Sequence, residues 1–200
     1  MKLLLLSLLT LNLIAQDEYS LRVAYGEASD KDLRDILLLD SNRHPDNLTV
    51  LSLDAGYLLK KEIFELPLDL YVKGGLSYFN EGYAPTNSHL YEGTIYIKFY
   101  YNLDFLDNRV RFGLGEGLSC TTDVLWTERK EAMEEDDEYS RFLNYLDISV
   151  DFDLGRLIGY KPLEDTYIGW ALKHRSGVFG LFNGVYGGSN YNTISIERNF

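Results

Sequence analysis

The chain has 200 residues, with 19 Lys and Arg against 31 Asp and Glu, for a formal net charge of −12. That length suits one domain, and the acidic balance excludes nucleic acid and simple electrostatic attraction to anionic lipid. The single Cys120 excludes an internal disulfide framework, whereas 16 Tyr, 10 Phe and 17 Gly suit strands, membrane interfaces and tight turns.

Lys2, an apolar stretch over residues 3–14 and the small Ala15 before Gln16 and Asp17 have the layout of a secretory signal. The stretch is shorter than the ~20 apolar residues of a membrane helix. No later run supplies one, the longest strongly apolar stretch being 36–39. Residues 1–15 are therefore expected to be a signal peptide and residues 16–200 a single exported domain.

From Tyr19 onward the dominant period is two, the signature of strands with one apolar and one polar face. Tyr19, Leu21, Val23 and Tyr25 alternate with Ser20, Arg22, Ala24 and Gly26 in the first strand. Leu51, Leu53, Tyr57 and Leu59 against Ser52, Asp54 and Gly56 make the second, and Leu68, Leu70, Val72, Leu76 and Tyr78 against Asp69, Lys73 and Ser77 the third. The fourth sets Tyr91, Ile95, Ile97, Phe99 and Tyr101 against Glu92, Thr94 and Lys98. The fifth runs over about 109–122 with Val110, Phe112, Leu114 and Leu118 on one side. Leu146, Ile148, Val150 and Phe152 oppose Asp147, Ser149 and Asp151 in the sixth; Ile168, Trp170 and Leu172 mark the seventh, and Ile194, Ile196 and the terminal Phe200 the eighth.

A soluble β-sandwich also alternates. The signal, the charges Arg22, Asp54, Lys73 and Asp147 opposite the apolar faces, and an aromatic end to the chain favour an all-β, eight-stranded antiparallel transmembrane β-barrel of the outer membrane. Long connections at 27–48, 79–90, 124–139 and 177–188 are expected outside, and short ones at 61–67 and 102–108 on the periplasmic side; the turn at 153–164 is longer than this plan calls for. Residues 29–40 read as a short helix with Ser29 as N-cap and Leu33, Ile36 and Leu37 on one face. The acids over 128–138 lack the regular spacing of a calcium loop, so a solvated acidic loop and no metal site are expected.

One constellation carries chemistry. In Lys173-His174-Arg175-Ser176, His174 and Ser176 leave the same face of a strand. That face continues Ile168, Trp170 and Leu172, placing two polar groups at the external end of a lipid-facing stripe. A histidine beside a serine there suits a general base and a nucleophile attacking a lipid ester. Lys173 and Arg175 suit phosphate contacts.

A signal peptide, a small barrel, His-x-Ser on the penultimate strand, a loop containing Gly and Asn, and a short last strand ending in Phe together resemble the PagL-type lipid A 3-O-deacylases. The resemblance covers residues 166–200 and implies Ser176 as nucleophile and His174 as base, with no metal or organic cofactor. That family orients its histidine with a glutamate about a dozen residues past the serine. Here residues 187–192 read Gly-Gly-Ser-Asn-Tyr-Asn, and the family's Asn after the serine is replaced by Gly177. Asn190, which shares the outward parity of Ile194 and Ile196, is the candidate third member, with Asn192 second; Glu197 lies on the opposite face. An amide fixes an imidazole tautomer but does not stabilise the imidazolium as a carboxylate does, and losing the acid of a serine triad can cost ~10⁴ in turnover. Asn183, or a backbone N–H in the 180–188 loop, is the candidate oxyanion donor, although Asn beside Gly is also ordinary turn chemistry.

Two functions follow. One is an outer-membrane carboxylic ester hydrolase that removes the 3-O-linked acyl chain of lipid A, its partner being lipopolysaccharide of the outer leaflet. The other is a non-catalytic barrel with a structural, adhesive or partner-binding role. Either is expected in the bacterial outer membrane as a monomer or homodimer. A pore is not expected, because eight strands leave an interior filled by side chains.

Overall fold

The computed structural model describes residues 18–86 and 88–200; the signal-peptide reading of 1–15 lies outside them. Eight strands form where period two is strongest: β1 (Tyr19–Ala28), β2 (Thr49–Lys60), β3 (Leu68–Glu81), β4 (Ser88–Phe105), β5 (Asn108–Thr121), β6 (Phe142–Asp153), β7 (Thr166–Ser176) and β8 (Gly188–Asn199). Each pairs antiparallel with its chain neighbour and β8 returns to β1, giving a closed eight-stranded barrel. The two ends complete the seam: Tyr19 N–H donates to the Phe200 carbonyl and Phe200 N–H to that of Tyr19, both at 3.0 Å. Closure leaves no unpaired edge, the condition for crossing a membrane with strands.

Closure also forces every second side chain inward, where a charge is tolerated only when paired. Arg22 forks between Asp54 (3.4 Å) and Asp147 (3.0 Å). Tyr96 accepts from Arg22 at 3.0 Å and donates to Asp54 at 2.9 Å. Lys98 also binds Asp147, and reaches Ser149 at 2.9 Å. Nearer the end where the chain termini meet, Lys73 meets Glu197 at 2.8 Å and Tyr100 at 3.0 Å, and the Arg111 guanidinium lies 3.4 Å from the Tyr167 ring centroid. The interior is a packed polar core.

The outward face is the reverse. Leu76, Ile95, Phe112, Leu114 and Ile194 stand exposed on the wall, an apolar surface that suits lipid and would be an association hazard in water. Aromatic pairs flank it, Tyr19 with Tyr57 (5.4 Å) at one end and Tyr78 with Tyr91 (5.5 Å) at the other, as in interfacial girdles.

The connections depart from expectation in four places. The 29–40 helix is reduced to α1 (Leu33–Leu37): Asp32 is its N-cap, while Ser29 is drawn into a bridge with Arg43, and Ile36 is its buried residue. The segment 102–108, expected on the periplasmic side, shrinks to the two-residue turn Leu106-Asp107, because both adopt left-handed φ (50° and 58°) and let β4 and β5 pair to their ends. The acidic segment is not a solvated loop but α2 (Trp126–Glu135). Trp126 seats it at the external mouth, its backbone N–H on Glu81 (2.8 Å) and its indole N–H on Asp46 (2.7 Å). Its Glu128 is buried against Arg175 at 2.9 Å. The overlong turn after β6 contains α3 (Leu154–Ile158), capped when Asp153 accepts the Arg156 N–H at 2.9 Å and ended by Gly159 at φ 66°.

Asp147 holds two buried cations, so Asp147→Ala is expected to cost ~3–5 kcal/mol. Asp104→Ala, at the exposed pair with Arg109 and Arg156, should cost less than ~1 kcal/mol. Urea midpoints of the refolded barrels in detergent check this ordering; equal costs would contradict the paired-core reading.

Candidate active site

On β5 to β8 the outward side chains form transverse rows. The lower rows are mainly apolar: Phe112, Val150, Trp170 and Ile194, then Leu114, Ile148 and the buried Leu172, ending on Asn192. Above them the chemistry changes. One row runs Glu116, Leu146, His174, Asn190, and the next Leu118, Asn144, Ser176, Gly188. A polar island thus sits at the long-loop end of the apolar wall. It opens into a cleft of about 750 Å³ whose lining includes residues 29–34, α2 residues, Tyr186 and Phe179.

His174 lies beside Asn190 across the β7–β8 ladder, with Nδ1 2.8 Å from Asn190 Oδ1. The orientation of that amide is set on its other side, where Asn190 Nδ2 donates to the Lys31 carbonyl at 3.0 Å. Flipping it would set two oxygens against each other, so the oxygen faces the imidazole. Nδ1 therefore carries the hydrogen, and Nε2 keeps its lone pair. The Ser29 N–H on the Asn190 carbonyl (2.8 Å) ties the same loop down. Ser176, two residues on, is half-buried on the same face.

Several expected site residues sit elsewhere. Lys173 and Arg175 do not reach lipid; their odd parity turns them into the lumen. Lys173 pairs with Glu92 (3.3 Å) and donates to Ser77 and Tyr145 (both 3.1 Å), while Arg175 holds Glu128. The Asn183 amide is engaged with Ser140 (2.9 Å) and the Phe142 carbonyl (3.3 Å). The loop amides are also engaged: Gly184 and Val185 bond the Gly180 and Phe182 carbonyls, Tyr186 and Gly187 meet Asp137, and Gly188 meets Glu131. These bonds, chiefly from Tyr186, hold the Asp137 carboxyl below its usual range, whereas burial pushes those of Glu131 and Glu128 up. Asn192 binds Trp170 (3.1 Å) and Ser41 (2.8 Å) rather than the histidine, and Glu197 lies in the lumen. Gly177 is required where it stands, because a Cβ there would lie 1.8 Å from the Val185 carbonyl oxygen.

Two residues of the island went unread in the sequence. Glu116 accepts a hydrogen bond from Asn144 Nδ2, which also donates to the Gly117 carbonyl at 3.3 Å. Both were visible as polar breaks in outward stripes, Glu116 between Leu114 and Leu118 and Asn144 before Leu146.

No family model matches the sequence, and neither does any curated protein. Among solved structures the fold is similar to that of the outer membrane enzyme PagL, with a TM-score of 0.60 at 12% identity, covering 90% of this chain and 99% of that one. It is also similar to Neisserial surface protein A, NspA, with a TM-score of 0.52 at 14% identity over 92% and 98% of the two chains. The N-terminal β-barrel domain of Pseudomonas aeruginosa OprF aligns over 92% and 98% with a TM-score of 0.46 at 11% identity. The chain has the fold of the small eight-stranded barrels of bacterial outer membranes.

The tautomer is directly observable. Labelled-histidine ¹⁵N spectra should show His174 as the Nδ1–H form. His44, whose Nδ1 accepts the Asp46 N–H at 3.2 Å, should show the Nε2–H form. An Nε2–H His174 would contradict the arrangement.

Proposed function

We propose that this barrel is a carboxylic ester hydrolase of the outer leaflet that removes the 3-O-linked acyl chain of lipid A, with Ser176 as nucleophile and His174 as base. The observation that carries the reading is the Lys31–Asn190–His174 chain of hydrogen bonds, facing outward beside Ser176 at the top of an apolar wall. A lipid whose acyl chains lie against Trp170 and Ile194 would present its ester at the height of this island.

In the reaction, Nε2 of His174 takes the Ser176 proton as Oγ bonds to the ester carbonyl carbon. The imidazolium then gives that proton to the departing sugar oxygen as the ester C–O bond breaks, leaving an acyl-serine. A water molecule, deprotonated by the same nitrogen, releases the fatty acid and restores the serine. Asn190 keeps Nε2 available through both halves, as an amide does in Cys-His-Asn proteases. Lys31, Arg34 and Lys130 line the cleft and take the phosphate-facing role first assigned to Lys173 and Arg175. Likeness of fold to an outer membrane enzyme agrees with this reading, but its weight rests on the site. Outer-membrane residence, with residues 1–15 as the export signal, belongs to the same proposal.

Refolded protein mixed with lipid A in detergent should release a 3-hydroxy fatty acid. Ser176→Ala should abolish release, His174→Asn should lower it by ~10²-fold or more, and Asn190→Ala by at least ~10-fold. Lipid A of unchanged mass would support a non-catalytic barrel instead, and full activity in Ser176→Ala would remove Ser176 as the nucleophile.

A further inference from the structure

We propose that Glu116 is a positioning residue of this site, a carboxylate that stabilises the protonated His174 formed during turnover. The inference rests on the esterase reading and adds a group to it. Asn190 is neutral, so it orients the imidazole without balancing the positive charge the ring acquires. Glu116 stands in the same transverse row as His174, separated by Leu146, a spacing of ~10 Å between Cα atoms for two strand intervals. Its neighbours along β5, Leu114 and Leu118, face lipid, and a carboxylate among them has no packing role. It is also held in place: Asn144, the direct cross-strand partner of Ser176, donates its amide hydrogen to Glu116. Glu116, Asn144, His174 and Ser176 all line one cleft.

Other charges face that cleft. The 29–34 segment brings Lys31 and Arg34 against Asp30 and Asp32, with His44 beside them, and α2 brings Lys130 against Glu131, Glu134 and Glu135. These lie on the loops above the wall, so they stay constant when Glu116 alone is altered. Glu116→Gln keeps an oxygen for Asn144 and changes only the charge.

The deciding measurement is the NMR titration of labelled His174 in refolded protein at low salt. With an effective dielectric near that of protein surfaces, Glu116→Gln should move its midpoint down by roughly half to one pH unit. Glu134→Gln, on α2 and outside the strand row of His174, should move it by less than half as much. On lipid A, the acid limb of the kcat/KM profile should follow to lower pH by the same amount in Glu116→Gln, with KM unchanged. Glu116→Asp should restore most of the shift. A midpoint that ignores Glu116→Gln overturns this inference alone. Intact lipid A with the unsubstituted protein overturns the esterase reading, and this inference with it.

Discussion

Closure of a narrow barrel is the constraint from which the other features follow. Once β8 hydrogen-bonds to β1, each outward position faces hydrocarbon or its boundary, and each inward position faces a lumen too small for bulk water. Arg22, Lys73, Lys98 and Arg111 are tolerable inside because Asp54, Asp147, Asp151 and Glu197 meet them. The same logic makes an outward polar group conspicuous. On β5 to β8, Glu116, Asn144, His174, Ser176 and Asn190 break the apolar wall in two adjacent rows, with Asn192 one row below.

The external end is built to hold that place still. Arg175 is inward, yet it serves the site indirectly: its ion pair with Glu128 draws α2 down onto the mouth of the barrel. From α2 and the residues after it, Glu131 and Asp137 collect the amides of Tyr186, Gly187 and Gly188. Gly188 faces Ser176 across the β7–β8 ladder, and the Gly187 carbonyl accepts the Gly177 N–H at 3.1 Å. The first external loop closes the other flank through the Lys31 carbonyl and the Ser29 N–H, both on Asn190. The histidine is thus oriented by a side chain that the first loop holds, at the start of a strand that α2 and the residues after it hold.

How much of this was legible in the chain depends on whether its cause is local. Alternation is local, and all eight strands and the outward parity of His174, Ser176 and Asn190 could be read from it. The same parity sends Lys173 and Arg175 inward, so reading them as lipid contacts overlooked a rule already in use. The Leu106-Asp107 turn was hidden because it takes left-handed backbone without the Gly or Asn that normally signals it. α2 was hidden because its acids look solvated until Glu128 finds Arg175, 47 positions along the chain and on another strand. The loss of Asn183 to Ser140 is likewise a loop-to-loop contact with no local signal. Glu116 and Asn144 were readable as interruptions of apolar stripes, but only closure shows that they share a row with the histidine and serine.

The central claim is that Ser176 is a nucleophile activated by His174 on the outer wall. A lipid-tailed fluorophosphonate, which forms a stable bond only with an activated serine, tests it without any assumption about the natural ester. Peptide mapping after treatment of the folded barrel in detergent should place one adduct on Ser176, and the His174→Asn protein should carry none. An unlabelled barrel, or labelling that persists without His174, would contradict the account.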